Sequence, residues 1–290
     1  MWRTVTSPEP ALVPRPTTTT LFHCSDLHFG LPAIPEVYEA IEALIAERKY
    51  DVVAVSGDLT QRARAGEFQR ARAFLQHARR YSQTIVIPGN HDVMWWKAPL
   101  GFGNDRALLA NYRRFIGEDI EPVLRIAGAT IVGLNTSHGV TRQTLTWNVR
   151  DISIIGHVRR AQLERARAEF ESSRADDARI IMMHHNPVKG ELSQRHGLKN
   201  TQRILGAFAE MAVELVLCGH DHQEAIHYIE HTKKGTVIST AGTISNRGRG
   251  GRAGSVNSIR ITNEIIEVST HLWGDASTGF VTGPVKCFKR

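Results

Sequence analysis

Cysteine is scarce in this 290-residue chain, and the three that occur form no recognisable framework. Cys24, Cys218 and Cys287 are odd in number and lie without the short spacings of metal fingers. A disulfide-stapled secreted domain needs an even and denser set of cysteines. We therefore expect reduced thiols, with Cys24 and Cys218 filling small apolar spaces near the end of a sheet.

Long apolar runs are also missing. No stretch of about 18 apolar residues occurs, which is the length that a membrane-spanning helix needs. Residues 1–20 are rich in Pro and Thr and contain no apolar core of a secretory signal. These absences predict a cytoplasmic chain without a membrane span, and residues 1–20 are expected to form a flexible tail.

Aromatic residues make up only 7% of the chain, whereas 41% is hydrophobic and 22% is charged, which is ordinary globular composition. The formal net charge of +7 is compatible with nucleic acid, an acidic membrane surface or a small anionic substrate. Most arginines lie on segments with helical apolar spacing, and no aromatic residues alternate with them. A solvated helix face is therefore favoured over a nucleic-acid stripe, which needs aromatic stacking.

Apolar runs of strand length alternate with helical patterns from residue 21 onward. Helices are predicted at 36–49, 66–80, 105–115, 159–170 and 201–211. Strands are predicted at 21–25, 52–55, 84–87, 130–134, 180–183, 214–217, 236–240, 258–261 and 265–270. This alternation, with a strand-rich final third, predicts an α/β fold of sheets covered by helices.

Polar blocks follow five of the predicted strands. They are Asp26-Leu27-His28, Gly57-Asp58, Gly89-Asn90-His91-Asp92, His184-His185-Asn186-Pro187 and Gly219-His220-Asp221-His222. Because ligand sites gather at the C-terminal edge of the strands in such sheets, we expect the blocks to converge. Oxygen and imidazole donors without thiolate suit Mn, Fe, Zn, Co or Ni. A single histidine is more often a satisfied, non-ligating residue, but the joint pattern predicts a metal site because unpaired buried ionisable groups are costly.

These ordered blocks resemble the calcineurin-like metallophosphoesterases, over about residues 21–260. The resemblance implies a four-layer αββα sandwich, an α/β fold of two mixed β-sheets flanked by helices. It places one domain at 21–275, followed by a C-terminal tail at 276–290. It also implies a dinuclear centre of two divalent transition-metal ions, Mn, Fe or Zn. By matching position, one metal would take Asp26, His28, Asp58 and His222, and the other would take Asp58, Asn90, His184 and His220.

The resemblance also assigns two residues to catalysis. His91 would lie beside the metals, near the leaving group, and Asp92 would orient it. Either His184 or His185 fits the ligand position. His184 is favoured because the ligand usually stands first in the family's His-His-x-Pro form, and His185 would then support it or contact substrate.

Three loops are candidates for substrate contact. Trp95 and Trp96 lie in the loop 93–104, where base stacking or a lid competes with ordinary packing or an oligomer contact. The loop 189–200 offers Lys189 and Lys199 toward an anion. Arg247 lies in the glycine-rich loop 242–254, where phosphate contact is the alternative to a flexible connection.

Several blocks are similar to the small bacterial branch of the family often described as cyclic-nucleotide phosphodiesterases. These are Asp26-Leu27-His28-Phe29-Gly30, Gly57-Asp58-Leu59-Thr60 and Gly133-Leu134-Asn135-Thr136, with the closing Gly219-His220-Asp221-His222. The similarity implies hydrolysis of a small anionic phosphodiester by in-line attack of a metal-bridging hydroxide. The substrate would be a cyclic nucleotide, a nucleotide or a glycerophosphodiester. A phosphomonoesterase, a nuclease of the same family, a non-catalytic binding module and a homo-oligomer stay open.

Overall fold

Helices and strands alternate along most of the chain. The computed structural model describes residues 18–30, 34–94, 105–139, 155–191, 197–232, 234–245 and 247–290. The strands are β1 (Thr18–Cys24), β2 (Val52–Val55), β3 (Gln83–Val86), β4 (Val123–Ile126), β5 (Ala129–Leu134), β6 (Ala178–His185), β7 (Leu215–Gly219), β8 (Ala225–Ile229), β9 (Thr236–Thr240), β10 (Ser255–Thr262), β11 (Ile265–Trp273) and β12 (Phe280–Lys289). The helices are α1 (Pro35–Arg48), α2 (Ala65–Ala78), α3 (Asp105–Leu108), α4 (Ala110–Phe115), α5 (Arg160–Glu171) and α6 (Thr201–Glu210).

Each predicted helix and strand has a counterpart among these elements. The helix predicted at 105–115 is divided into α3 and α4, because the backbone leaves the helical region at Leu109. None of the helices in the described ranges is both long and apolar enough to cross a membrane.

The strands form two mixed sheets of six strands each. Sheet 1 has the order β12-β11-β10-β1-β2-β3, and sheet 2 has the order β4-β5-β6-β7-β9-β8. Strands β1, β2 and β3 are parallel, as are β5, β6, β7 and β9. In sheet 1, Phe22 lies opposite Val53, which lies opposite Thr84. This register brings the C-terminal ends of the parallel strands to one edge.

The alternation of side chains along the strands divides the apolar residues into three cores. Leu21 and Val52 lie between the two sheets, in a core that also contains Ile180 and Leu215 of sheet 2. The outer face of sheet 1 packs against α1, α2 and α4 through residues that include Phe22, Val53, Ile41, Phe68 and Tyr112. The outer face of sheet 2 packs against α5 and α6 through residues that include Ile181, Val216, Phe170 and Phe208. The four-layer αββα sandwich is confirmed.

Helix α2 begins directly after the loop that carries Asp58. The Glu67 carboxylate accepts hydrogen bonds from the backbone N–H groups of Arg62 and Arg64, at 2.8 and 3.2 Å. These are donors near the helix start that have no partner within the helix. The start of α2 is thereby fixed, and so is the end of the loop leading from β2.

The two predicted tails take part in the fold where they are described. Strand β1 begins at Thr18, and β12 occupies most of the segment expected to be a C-terminal tail at 276–290. Phe280 packs edge-on against Trp273, with 5.2 Å between ring centroids. Arg290 donates hydrogen bonds to both carboxylate oxygens of the buried Glu214, at 3.1 and 3.0 Å. The first contact holds β12 on β11, with which it pairs, and the second ties Arg290 to the start of β7 in sheet 2. This corrects the expected boundary at residue 275.

Candidate metal centre

The five polar blocks converge at the C-terminal edges of the two sheets. Sheet 1 supplies the residues that follow β1, β2 and β3, namely Asp26, His28, Asp58 and Asn90. Sheet 2 supplies the residues at the end of β6 and after β7, namely His184, His220 and His222. The site therefore lies where the edges of both sheets meet.

The first group of side chains is Asp26, His28, Asp58 and His222. One potential ligand atom from each lies within 4.8 Å of those of the other three. His222 Nε2 is 3.1 Å from His28 Nε2 and 3.2 Å from Asp26 Oδ1. His28 Nε2 is 3.8 Å from Asp58 Oδ2. Two imidazoles and two carboxylates at these distances can hold a metal ion.

The second group contains the other three predicted ligands. Asn90 Oδ1 is 3.1 Å from His184 Nε2 and 3.0 Å from His220 Nδ1. His184 Nε2 is also 3.4 Å from Asp58 Oδ2. The same carboxylate oxygen of Asp58 therefore borders both groups, and the predicted convergence of the strand-end residues is observed.

Backbone carbonyls orient three of these histidines. His28 Nδ1 is 3.3 Å from the oxygen of Thr60, and His184 Nδ1 is 2.9 Å from that of Ser56. His222 Nδ1 is 3.2 Å from the oxygen of Arg247. A carbonyl can only accept a hydrogen bond, so each Nδ1 carries the proton. In the neutral form of each ring, the Nε2 lone pair then points toward the site.

The side chains of the first group are arranged as a cation would require. With both Nδ1 atoms donating, the Nε2 lone pairs of His28 and His222 face each other at 3.1 Å. Asp26 Oδ1 is buried beside them and accepts no hydrogen bond. Converging lone pairs and an unsatisfied carboxylate oxygen repel one another unless a cation lies between them. The donor set fits divalent transition-metal ions.

The remaining carboxylate oxygens are used for positioning. Asp26 Oδ2 accepts the backbone N–H of His220 at 2.9 Å. Asp58 Oδ1 accepts the backbone N–H of His91 at 2.8 Å. Each aspartate therefore turns its other oxygen toward the site, and each bond joins two different strand ends.

The electrostatics of the site follow from burial and from proximity. Burial raises the pKa of Asp26 and of Asp58, but the imidazoles beside them outweigh it and hold each pKa well below its ordinary value. Burial lowers the pKa of His28, and it lowers the pKa of His220 to about 3. Burial opposes protonation of His184 as well, but the neighbouring Asp58 raises its pKa to about 9. A proton and a metal ion therefore compete for His184 Nε2, whereas both carboxylates stay ionised.

The backbone at the site is strained. Five of the proposed ligands have left-handed φ values: Asp26 (53°), His28 (47°), Asp58 (50°), His220 (72°) and His222 (57°). This conformation costs a non-glycine residue about 1–2 kcal/mol. Such strain persists where the surrounding structure enforces it, and it clusters at functional sites.

Glycines allow the strand ends to approach closely. A Cβ added at Gly89 would overlap the Asp58 backbone nitrogen and Oδ1. A Cβ added at Gly219 would overlap Ser25 and Asp26. Only glycine fits these two positions without displacing a proposed ligand.

His91 lies beside the first group, but Asp92 does not orient it. His91 Nδ1 donates to the backbone oxygen of Gln61 at 2.8 Å. The Asp92 carboxylate instead accepts the backbone N–H groups of Leu59, Thr60 and Gly89, at 3.0, 2.9 and 2.9 Å. This corrects the expected role of Asp92, which joins the loops after β2 and β3. Burial, together with the charge of a neighbouring carboxylate, raises the pKa of Asp92 to about 6.

The residues predicted to contact substrate have different surroundings. His185 is only 1% exposed, its Nδ1 is 2.7 Å from Thr136 Oγ1, and its ring packs 4.4 Å from that of His220. His185 therefore packs against the proposed ligand His220 and is buried away from solvent. Arg247 is half-buried and donates through Nη1 to Gln61 Oε1 at 3.2 Å. Trp95 and Trp96 lie outside the described residues.

Gln61 is the residue at this site that the sequence reasoning missed. Its backbone oxygen holds the His91 ring, and its side chain holds Arg247. The only sequence feature that could have drawn attention to it is its place three residues after Asp58, in the loop between β2 and α2.

Comparisons with solved structures show the same fold. The structure of PhoD is 12% identical with a TM-score of 0.66, and the alignment covers 97% of this chain and 71% of that chain. Purple acid phosphatase PPD1 from yellow lupin (Lupinus luteus) seeds is 10% identical with a TM-score of 0.64, over 98% of this chain and 55% of that chain. GAP50, named as the anchor in the inner membrane complex of Plasmodium, is 11% identical with a TM-score of 0.58, over 94% and 89%.

The comparison with protein families is more direct. No curated protein matches this chain with significance. The family model described as calcineurin-like phosphoesterase matches residues 19–224, a range that contains all five polar blocks. Since this match spans most of the chain and the fold agrees with it, the chain belongs to the calcineurin-like phosphoesterase family.

Proposed function

We propose that this chain is a metal-dependent phosphodiesterase that hydrolyses a small anionic phosphodiester at a centre of two divalent transition-metal ions. The observation that supports this most directly is the position of Asp58. Its Oδ2 lies 3.8 Å from His28 Nε2 and 3.4 Å from His184 Nε2, between the two groups of ligand atoms. A carboxylate shared in this way suits a two-metal site, whose ions lie about 3.5–4 Å apart.

Seven side chains would hold the two ions. One ion would take Asp26, His28, Asp58 and His222, and the other would take Asp58, Asn90, His184 and His220. When bound, the ions supply Lewis acidity, which lowers the pKa of water and offsets the charge of the phosphoryl oxygens. Two carboxylates do not neutralise two divalent ions, so the loaded site favours an anionic substrate.

His91 is the residue that we assign to proton transfer. Its Nδ1 is fixed on the Gln61 carbonyl, so Nε2 is the nitrogen that takes up or delivers a proton. The ring is half-exposed and lies edge-on to His28, with 4.8 Å between centroids. A half-exposed imidazole beside the ligands is suited to protonate a leaving oxygen.

The diester class rests on the sequence resemblance of the strand-end blocks to the phosphodiesterase branch. The test is to reconstitute the protein with Mn, Fe or Zn and to measure bound metal and hydrolysis together. The substrates are bis-p-nitrophenyl phosphate, p-nitrophenyl phosphate and a cyclic nucleotide. We expect two ions per chain and faster cleavage of the diesters. Asp58→Ala should lose bound metal and hydrolysis together. Asp51→Ala, at an exposed aspartate outside the site, is the matched control and should keep both the metal and the activity.

Each other outcome has a definite meaning. Preferential cleavage of p-nitrophenyl phosphate would replace the diester class with a phosphomonoesterase. Two bound ions without hydrolysis of any substrate would make the chain a non-catalytic binding module. One ion or none after reconstitution would refute the shared role of Asp58.

A further inference from the structure

Gln61 joins two loops beside the proposed metal centre. Its backbone oxygen accepts the Nδ1 proton of His91 at 2.8 Å, and its side-chain Oε1 accepts Nη1 of Arg247 at 3.2 Å. The first contact lies on the loop after β3, and the second lies on the segment after β9. One residue therefore fixes the proposed proton donor and a half-buried arginine.

The surroundings of Gln61 hold it in place. Its backbone N–H donates to the oxygen of Phe29 at 3.3 Å. A Cβ added at Gly30 would lie 2.7 Å from Gln61 Cβ, so the absence of a side chain at residue 30 makes room for Gln61. The backbone of Gln61 is thus braced by the loop after β1, and its side chain reaches Arg247 from a fixed position.

Arg247 is tied to the same centre by its backbone. Its carbonyl accepts the Nδ1 proton of His222 at 3.2 Å, and His222 Nε2 faces Asp26 and His28. Arg247 is therefore linked through its backbone to His222 and through its guanidinium group to Gln61, the residue that holds the His91 ring.

The partner of Arg247 differs from that of the arginines that form ion pairs. Arg252, for example, pairs with the carboxylate of Glu224 at 3.0 Å. Within the described part of the chain, no carboxylate pairs with Arg247, and its side-chain partner is a neutral amide. An amide positions the guanidinium group without neutralising its charge, so the charge stays available to an anion.

We propose that Gln61 is a positioning residue that holds Arg247 at the metal centre with its charge available, so that Arg247 binds the anionic oxygens of the phosphoester. The inference rests on the proposed function. It assigns to Gln61 a role in specificity for anionic substrates that is separate from the hydrogen bond between its backbone and His91.

Kinetics of metal-loaded Gln61→Ala and Gln61→Glu on bis-p-nitrophenyl phosphate test the proposal. Gln61→Ala keeps the carbonyl that holds His91, so the pH profile of kcat should not move. Loss of the hydrogen bond between the Gln61 amide and the Arg247 guanidinium should raise KM about three- to tenfold. Because the anionic oxygens are present before and during reaction, the effect should fall on KM rather than kcat.

Gln61→Glu separates positioning with available charge from simple tethering. A carboxylate would hold Arg247 at least as firmly, but it would neutralise the guanidinium charge, so KM should rise further than in Gln61→Ala. A purely structural tether predicts the reverse, with KM near that of the unaltered protein. Gln69→Glu, an exposed position on α2, adds the same charge elsewhere and should leave KM unchanged.

A double-mutant cycle completes the test. Gln61→Ala added to Arg247→Met should have no further effect on KM, because Gln61 acts through Arg247. Additive effects, or an unchanged KM in both Gln61 variants, would overturn the inference. An unaltered protein that binds two ions and cleaves no phosphoester would instead overturn the proposed function, so the two failures are distinguishable.

Discussion

His91→Ala should abolish most catalysis on demanding substrates while leaving the metal centre intact. The substitution removes the ring but not the backbone N–H that donates to Asp58 Oδ1 at 2.8 Å. Asp58 therefore keeps its orientation, and the seven proposed ligands are untouched. The ring itself makes one hydrogen bond, to the Gln61 carbonyl, and is half-exposed.

The magnitudes separate a catalytic effect from a structural one. A single neutral hydrogen bond contributes about 1 kcal/mol, so His91→Ala should lower the free energy of unfolding by less than about 2 kcal/mol. A positioned proton donor contributes about 10²–10⁴ in rate. At 1.36 kcal/mol per factor of ten, this is roughly 3–5 kcal/mol of transition-state stabilisation. Catalysis should therefore suffer far more than folding.

The assay compares leaving groups. A p-nitrophenolate departs without a proton, whereas the alkoxide of a ribose or glycerol needs one. His91→Ala should keep more relative activity on bis-p-nitrophenyl phosphate than on a cyclic nucleotide or glycerophosphodiester, with bound metal measured in parallel. His77→Ala, a half-buried histidine on α2, is the control. Equal fractional losses on both substrates would refute leaving-group protonation and favour stabilisation of transition-state charge.

Three further predictions concern metal binding and stability. Asp58→Ala should lose more bound metal than Asp26→Ala by elemental analysis, because only Asp58 borders both groups; equal loss would contradict a shared role. Gly89→Ala should destabilise by about 1–3 kcal/mol in chemical denaturation through overlap with Asp58, whereas Gly66→Ala, which meets nothing within 4 Å in α2, should stabilise by up to about 1 kcal/mol. Arg290→Ala should destabilise by roughly 3 kcal/mol, since it leaves a buried carboxylate without its main partner, and an unchanged midpoint would show that β12 is held by other contacts.

The strands that the sequence predicted differ from those it missed in their burial. Strand β2 is buried at all four residues and reads as a continuous apolar run. Strands β4, β8 and β12 were not predicted, and each lies at the edge of its sheet with mostly half-buried or exposed residues. An edge strand buries little on either face, so its sequence carries a weak apolar pattern.

The candidate site also contains features that the sequence predicts and features that it does not. The meeting of residues such as Asp26 and His220 was predictable, because carboxylate and imidazole side chains that directly follow apolar strands indicate a common site at the sheet edge. The role of Gln61 was not, since its contact with His91 uses a backbone carbonyl, which every residue has. The contacts of Asp92 depend on how the loops after β2 and β3 approach each other, and that approach is set by tertiary structure.

The two imidazoles whose Nε2 atoms lie 3.1 Å apart are separated by 194 residues of chain. In the unfolded chain, the entropy that opposes their approach exceeds that of a 15-residue loop by about 2 kcal/mol. Unfolded protein can therefore offer a metal ion only neighbouring ligands such as Asp26 and His28, whereas the folded protein offers the whole set. We expect the metal to enter after both sheets have formed. Refolding in a chelator should then recover the secondary structure, and metal added afterwards should raise the unfolding midpoint in proportion to the logarithm of its free concentration.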